Sequence, residues 1–131
     1  MAIIYTNEEI NELINERKPL PEDWDTQIYV LDYMDIKGDK GNHFRIYVRQ
    51  DKYNPLDFSV ILGVIHPLTT RVFRLRRYNG KTNPHTNRIE RNEVSGFHIH
   101  EATERYQERG QKEDAYAVET KRYTDRYRRG C

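Results

Sequence analysis

The sequence predicts an α+β domain: an antiparallel meander sheet of about five strands, with an N-terminal helix and C-terminal helices packed on one face. Three observations carry this. A capping box precedes apolar residues at helical spacing near the N-terminus. Runs rich in Ile, Val, Tyr and Phe follow, separated by Gly, Pro and Asn. A shorter helical pattern then comes after the last of these runs. With 131 residues the chain builds one domain, residues 1–131, and has little length for a second core.

The helix over residues 7–17 starts at Thr6-Asn7-Glu8-Glu9, where the Thr6 hydroxyl and the Glu9 side chain can each accept the other's amide. Ile10, Leu13 and Ile14 form its apolar stripe, and Pro19 and Pro21 end it. Trp24 to Ile36 reads as a strand from its Ile, Tyr and Val content, followed by a turn at Gly38-Asp39-Lys40-Gly41. His43 to Arg49 alternates, with Phe44, Ile46 and Val48 on one face. Phe58 to Ile65 is nearly continuous in apolar residues and reads as the central strand, covered on both sides. Thr70 to Tyr78 forms the next strand, with Asn79-Gly80 as a tight-turn pair. Residues 80–96 read as a polar loop, Phe97 to Glu101 as a short strand, and Ala102 to Arg109 as a helix capped by Gly110. Ala115 to Val118 fits either a strand or a helix. Tyr123 and Tyr127 are spaced for one face of a helix that stops early at Arg128-Arg129-Gly130-Cys131, an ending that suits a native or an altered C-terminus.

Composition narrows the function classes. Hydrophobic residues are 36% and charged residues 33%, with a mean hydropathy of −1.01, but the net charge of +1 and fifteen aromatic residues supply a core rather than a disordered chain. No apolar run reaches a membrane span and no secretory pattern opens the chain, so a soluble cytoplasmic protein without a membrane partner is expected. The single cysteine, Cys131, excludes an intrachain disulfide and a cysteine-based zinc site. A Gly-rich phosphate loop, a Gly-x-Ser-x-Gly elbow, a His-Glu-x-x-His pair and a dinucleotide fingerprint are all missing. No cofactor is expected.

The near-neutral total conceals a dipolar chain. Residues 1–42 carry ten acids and four bases, residues 43–100 ten bases and four acids, and residues 101–131 eight bases and seven acids. Between Arg71 and Arg91, seven bases face one acid, Glu90. Such a field attracts a polyanion or an acidic partner surface, unless the acidic N-terminal third folds over it and neutralises it.

The chemistry-bearing residues fall in the same window. Period two places His98 and His100 on one face of their strand, so that with Phe97 and Ile99 packed inward both imidazoles turn to solvent or a cleft. His85 sits in a loop able to close over them. Three chemistries fit. In metal-free cleavage of RNA, His98 and His100 are the acid–base pair, and His85 and Asn87 position substrate. Arg74, Arg76, Arg77 and Arg88 hold phosphate, and Tyr78 and Tyr106 stack a base. In a metal hydrolase, His85, His98 and His100 bind an ion such as zinc, near Glu101 and Glu104. In the third, the histidines are plain surface, and the basic 71–91 segment serves a non-enzymatic module that binds nucleic acid or protein.

His85-Thr86-Asn87 followed by His98-Ile99-His100 resembles a pattern in small uncharacterised bacterial proteins. In size and strand order these are similar to the TumE-type toxins of toxin–antitoxin pairs, which also carry a basic strand followed by a His-containing loop. The resemblance covers residues 70–120. It implies a toxin-like endoribonuclease encoded beside a DNA-binding antitoxin protein, with the three histidines and Asn87 as the residues carried over. A dipolar chain with exposed strand edges also suits a homodimer.

Overall fold

A computed structural model describes residues 4–82 and 84–123. Its elements are α1 (Asn7–Asn15), α2 (Trp24–Leu31), β1 (Tyr33–Lys37), β2 (His43–Gln50), β3 (Phe58–Ile65), β4 (Val72–Asn79), β5 (His85–Asn87), β6 (Asn92–Val94), β7 (His98–Glu101), α3 (Glu104–Glu108) and β8 (Tyr116–Glu119). The α+β class is as expected. The main sheet has six antiparallel strands in the order β1-β2-β3-β4-β7-β8, a meander interrupted by the small β5–β6 hairpin.

Helix α1 begins as its sequence dictates: the Glu9 amide donates to the Thr6 hydroxyl at 3.1 Å, and Glu9 accepts from the Thr6 amide at 2.9 Å. At its other end the Lys18 ammonium donates to the carbonyls of Leu13, Ile14 and Glu16, covering groups that have no partner inside the helix. Ile10 and Leu13 pack with Met34, Ile36, Phe44, Val64, Phe73, Leu75 and Ala102, forming the core on one face of the sheet. A second cluster joins Phe58, Ile99 and Tyr123, with Tyr78 and Phe97 against it.

Several expectations are corrected. Trp24 to Ile36 is not one strand: Trp24–Leu31 is helical, Asp32 ends the helix with φ 62°, and only then does β1 begin. The β-favouring run Ile28-Tyr29-Val30-Leu31 stays helical because it lies along the outer edge of β1, where the Gln27 side chain accepts from the Asp35 amide at 3.0 Å. Residues 80–96 are not all loop but hold the β5–β6 hairpin. Among the described residues the C-terminal part contributes one five-residue helix, closed by Gly110 at φ 70°, and then strand β8 where the sequence left strand and helix open. The strand covered on both sides is β7, with His98, Ile99 and His100 all 4% exposed or less, whereas half of the β3 residues are only half-buried. The expected helix over Tyr123–Cys131 lies outside the described residues, Tyr123 excepted.

Asn79-Gly80 does not make a tight turn. Asn79 ends β4, and the chain runs on beside residues 56–58, with Lys81 N donating to Leu56 O at 2.8 Å. A Cβ on Gly80 would lie 1.9 Å from that carbonyl. Gly80→Ala is therefore expected to cost about 2 kcal/mol or more, read as a shift in the urea midpoint with an unchanged slope.

Candidate active site

The register of the sheet assembles the site. Across β3, β4 and β7, Ser59 stands opposite Asn79 and Asn79 opposite His98; one step along, Ile61 stands opposite Arg77 and Arg77 opposite His100. These side chains share the face away from α1. Ser59, Arg77, Asn79, His98 and His100 line a polar cleft of about 360 Å³ together with Arg49, Asp57, Pro84 and His85.

His98 and His100 do occupy one cleft, but neither is exposed to solvent: 1% and 2% of their surface is accessible. Strand β8 and the β5–β6 hairpin enclose them. The His98 Nδ1–H donates to the Gly96 carbonyl at 2.8 Å, and its Nε2 accepts from the Asn79 amide at 3.3 Å. Ser59 in turn donates to Asn79 Oδ1 at 2.7 Å, so a chain of hydrogen bonds fixes the ring and its tautomer. His100 Nδ1 lies 2.8 Å from the Asp114 carbonyl, which places the proton on Nδ1. The Arg77 guanidinium, 3.3 Å from the same nitrogen, is then a charged neighbour rather than a donor to it. Among the described residues no partner meets His100 Nε2, which opens to the cleft.

Both imidazoles are held neutral. Burial, then the Arg77 charge, pushes His100 down to about 3 despite its bond to the Asp114 carbonyl. Burial likewise lowers His98, opposed by its bond to Gly96 and reinforced by His85 and Arg77. An acid–base pair made of these two alone needs one of them charged, a form that burial and the Arg77 charge disfavour at both rings.

His85 and Asn87 lie on the same side of β5 and clip it to β8. The His85 ring donates from Nε2 to the Ala115 carbonyl. The Asn87 side chain donates to Ala117 O and accepts from Ala117 N, both at 2.8 Å, and is 1% exposed. Asn87 thus holds the hairpin on the sheet instead of reaching into the cleft. His85 does reach it: its ring stands edge-on to His100 at 4.6 Å between centroids, and His98 and His100 are 5.1 Å apart.

The arginines separate. A bulge in β4 pairs Gly63 with Arg74 and Leu62 with Arg76, leaving Leu75 between them without a partner on β3. Arg74 and Arg77, rather than Arg74 and Arg76, therefore converge on one group, the carboxylate of Asp114, at 3.5 and 3.8 Å. Asp114 is fully buried and makes no side-chain hydrogen bond among the described residues. Arg74 is held further by Glu113, and Arg76 pairs with Glu101 at 3.5 Å outside the cleft. Arg88 is exposed in the turn after β5 and does not line the cleft. Tyr78 packs beside Tyr123 on the other face of the sheet. Tyr106 is buried, its hydroxyl donating to Glu90 at 2.6 Å. Neither ring lines the cleft.

The acids that neutralise the basic strand come from residues 101–114, not from the acidic N-terminal third, whose helix α1 packs on the apolar face. Among the described residues, no group of three or more His, Cys, Asp or Glu is arranged to hold a metal ion, and no helix is long and apolar enough to cross a membrane. No family model, curated protein or solved structure matches the chain.

Sequence reasoning missed Arg49, Asp57, Ser59, Asn79 and Asp114. For Ser59 and Asn79 the usable signal was alternation on β3 and β4 combined with the strand register, which places both in the row of His98.

Proposed function

We propose that the cleft is the active site of a metal-independent endoribonuclease. The observation that supports this reading is a neutral imidazole, His100, whose open Nε2 shares a polar cleft with the Arg77 guanidinium and a third histidine. His100 Nε2 takes the proton of a ribose 2′-hydroxyl, and the 2′-oxygen attacks the adjacent phosphorus. The bond from phosphorus to the 5′-oxygen breaks, and His85, entering the step protonated on both ring nitrogens, delivers its Nδ1 proton to that oxygen while its Nε2–H stays on the Ala115 carbonyl. The products are a 2′,3′-cyclic phosphate and a 5′-hydroxyl.

Arg77 holds the phosphoryl oxygens as their charge develops, with Arg49 at the rim. An anionic phosphate beside Arg77 also offsets the positive field that depresses His100, raising its basicity when substrate is present. The resemblance over residues 70–120 extends the reading to a cytoplasmic toxin-like protein restrained by an antitoxin. That extension predicts growth arrest on expression of the wild type and none for His100→Asn.

Incubating the purified protein with total RNA, with and without EDTA, is expected to give cleavage in both lanes. Cleavage lost with EDTA would transfer the three histidines to a metal site. A second reading, a binding module, draws on Arg71, Lys81, Arg88 and Arg91, which are exposed and lack acid partners among the described residues. It predicts no cleavage and steeply salt-dependent RNA binding.

A further inference from the structure

The register lays one row of side chains across four strands. Arg49 stands opposite Ser59, Ser59 opposite Asn79 and Asn79 opposite His98, so Arg49 lies three strand spacings, about 14 Å, from His98. All four line the cleft, and Arg77 lines it two residues before Asn79 on β4. The two guanidiniums are tied in opposite directions. Arg77 leans toward β7 and the segment before β8, its Nη2 3.3 Å from His100 Nδ1 and its Nε 3.8 Å from Asp114 Oδ2. Arg49 is drawn the other way by Asp57, which precedes β3 and accepts from Arg49 Nη2 at 2.7 Å. That bond orients the guanidinium and occupies one of its five N–H groups, while half of the side chain stays exposed. So placed, the two arginines suit two phosphates rather than one. At the histidine end, rings only 1% and 2% exposed are within reach of a nucleotide drawn out of a stack, and out of reach of a duplex backbone.

We propose that the cleft takes single-stranded RNA laid across the strands, with the scissile phosphate at Arg77 and a second phosphate, on the 5′ side of the cleaved nucleotide, at Arg49. This rests on the nuclease reading above, which sets the polarity. The attacking and leaving oxygens lie on opposite sides of the phosphorus. The leaving 5′-oxygen is at His85, which is clipped to β8, so the released strand departs on that side. The chain on the 5′ side of the attacking ribose then runs back over β4 and β3 toward Arg49 on β2. Ser59 and Asn79, hydrogen-bonded to each other at 2.7 Å, form the polar floor between the two phosphates. Arg49 acts on binding of the strand and not on the reacting atoms.

The test uses the full chain and oligonucleotides with a single ribose, all other sugars being 2′-deoxy, so that the position of cleavage is fixed. Lengthening the dinucleotide on its 5′ side is expected to lower KM about tenfold, as one charge-assisted phosphate contact would, with a much smaller change in kcat. Lengthening it on the 3′ side should do far less. Arg49→Gln should abolish the 5′ gain, read as the ratio of long to short substrate for each enzyme, and Arg49→Lys should keep part of it. A 5′ gain that persists in Arg49→Gln, or an equal gain on the 3′ side, overturns the proposal. Binding of an uncleavable, fully 2′-deoxy strand of about eight nucleotides, followed by fluorescence anisotropy, judges the Arg49 position without turnover. Arg49→Gln should flatten the slope of log Kd against log salt by about 0.7, and the duplex form should bind about tenfold more weakly. A flattened slope with no cleavage of any ribose overturns the nuclease reading and supports the phosphate position at Arg49. An unchanged slope, or a duplex bound as tightly as the single strand, overturns the proposal itself.

Discussion

Replacing His100 by asparagine is expected to reduce RNA cleavage by about 10²–10⁴-fold while leaving the fold in place. The asparagine Nδ2 occupies the position of the imidazole Nδ1–H and keeps the bond to the Asp114 carbonyl, while the Nε2 that faces the cleft disappears. Alanine would remove both and confuse a loss of chemistry with a cavity. The same substitution carries a pH signature. In the native protein His100 stays neutral down to about 3, whereas in the unfolded chain it takes a proton near 6.5. Between those values the unfolded state binds the extra proton, so the contribution of His100 to stability is complete above about pH 6.5 and is lost as the pH falls toward 3. The wild type should therefore lose on the order of 3 kcal/mol more than His100→Asn between pH 7 and pH 4, measured by urea unfolding at the two pH values.

Asn87→Ala is expected to destabilise the protein by about 2–4 kcal/mol, the second large effect. It removes two hydrogen bonds at once and leaves the amide and carbonyl of Ala117 without their partner at the edge of β8. Asn87→Asp should be at least as damaging, because a carboxylate oxygen would replace the amide that donates to Ala117 O, inside a site 1% exposed. Since Asn87 and His85 together hold β5, cleavage should fall in parallel. Hydrogen exchange at the Ala117 amide should rise in both variants, which a residue acting only on substrate would not cause.

Much of the fold was legible because its signals are local. The capping box at Thr6 and Glu9, the alternation in β2 and the apolar run of β3 each specify an element within ten residues. The α2 segment was not legible: Ile28, Tyr29 and Val30 favour strands, and their helix follows from lying along the edge of β1 and from the left-handed turn at Asp32. In the site, period two was enough to pair His98 with His100. Their burial was hidden because the elements that cover them, β5, β6 and β8, are three or four residues long and leave little pattern. Asn87 read as a loop residue that positions substrate because its partner is backbone thirty positions away, and no side-chain motif records such a bond. Arg77 lines the cleft and Arg76 does not because a bulge beside Leu75 shifts the alternation, and a single sequence does not mark it.

The most direct test of the central claim is the chemistry of the RNA ends left after cleavage in EDTA. A neutral imidazole that activates the 2′-hydroxyl must yield 2′,3′-cyclic phosphate and 5′-hydroxyl ends, and a 2′-O-methyl group at the cleavage position must stop the reaction. Ends carrying 3′-hydroxyl and 5′-phosphate, or cleavage that ignores the 2′-O-methyl group, would contradict the account, because water rather than the ribose would then be the nucleophile.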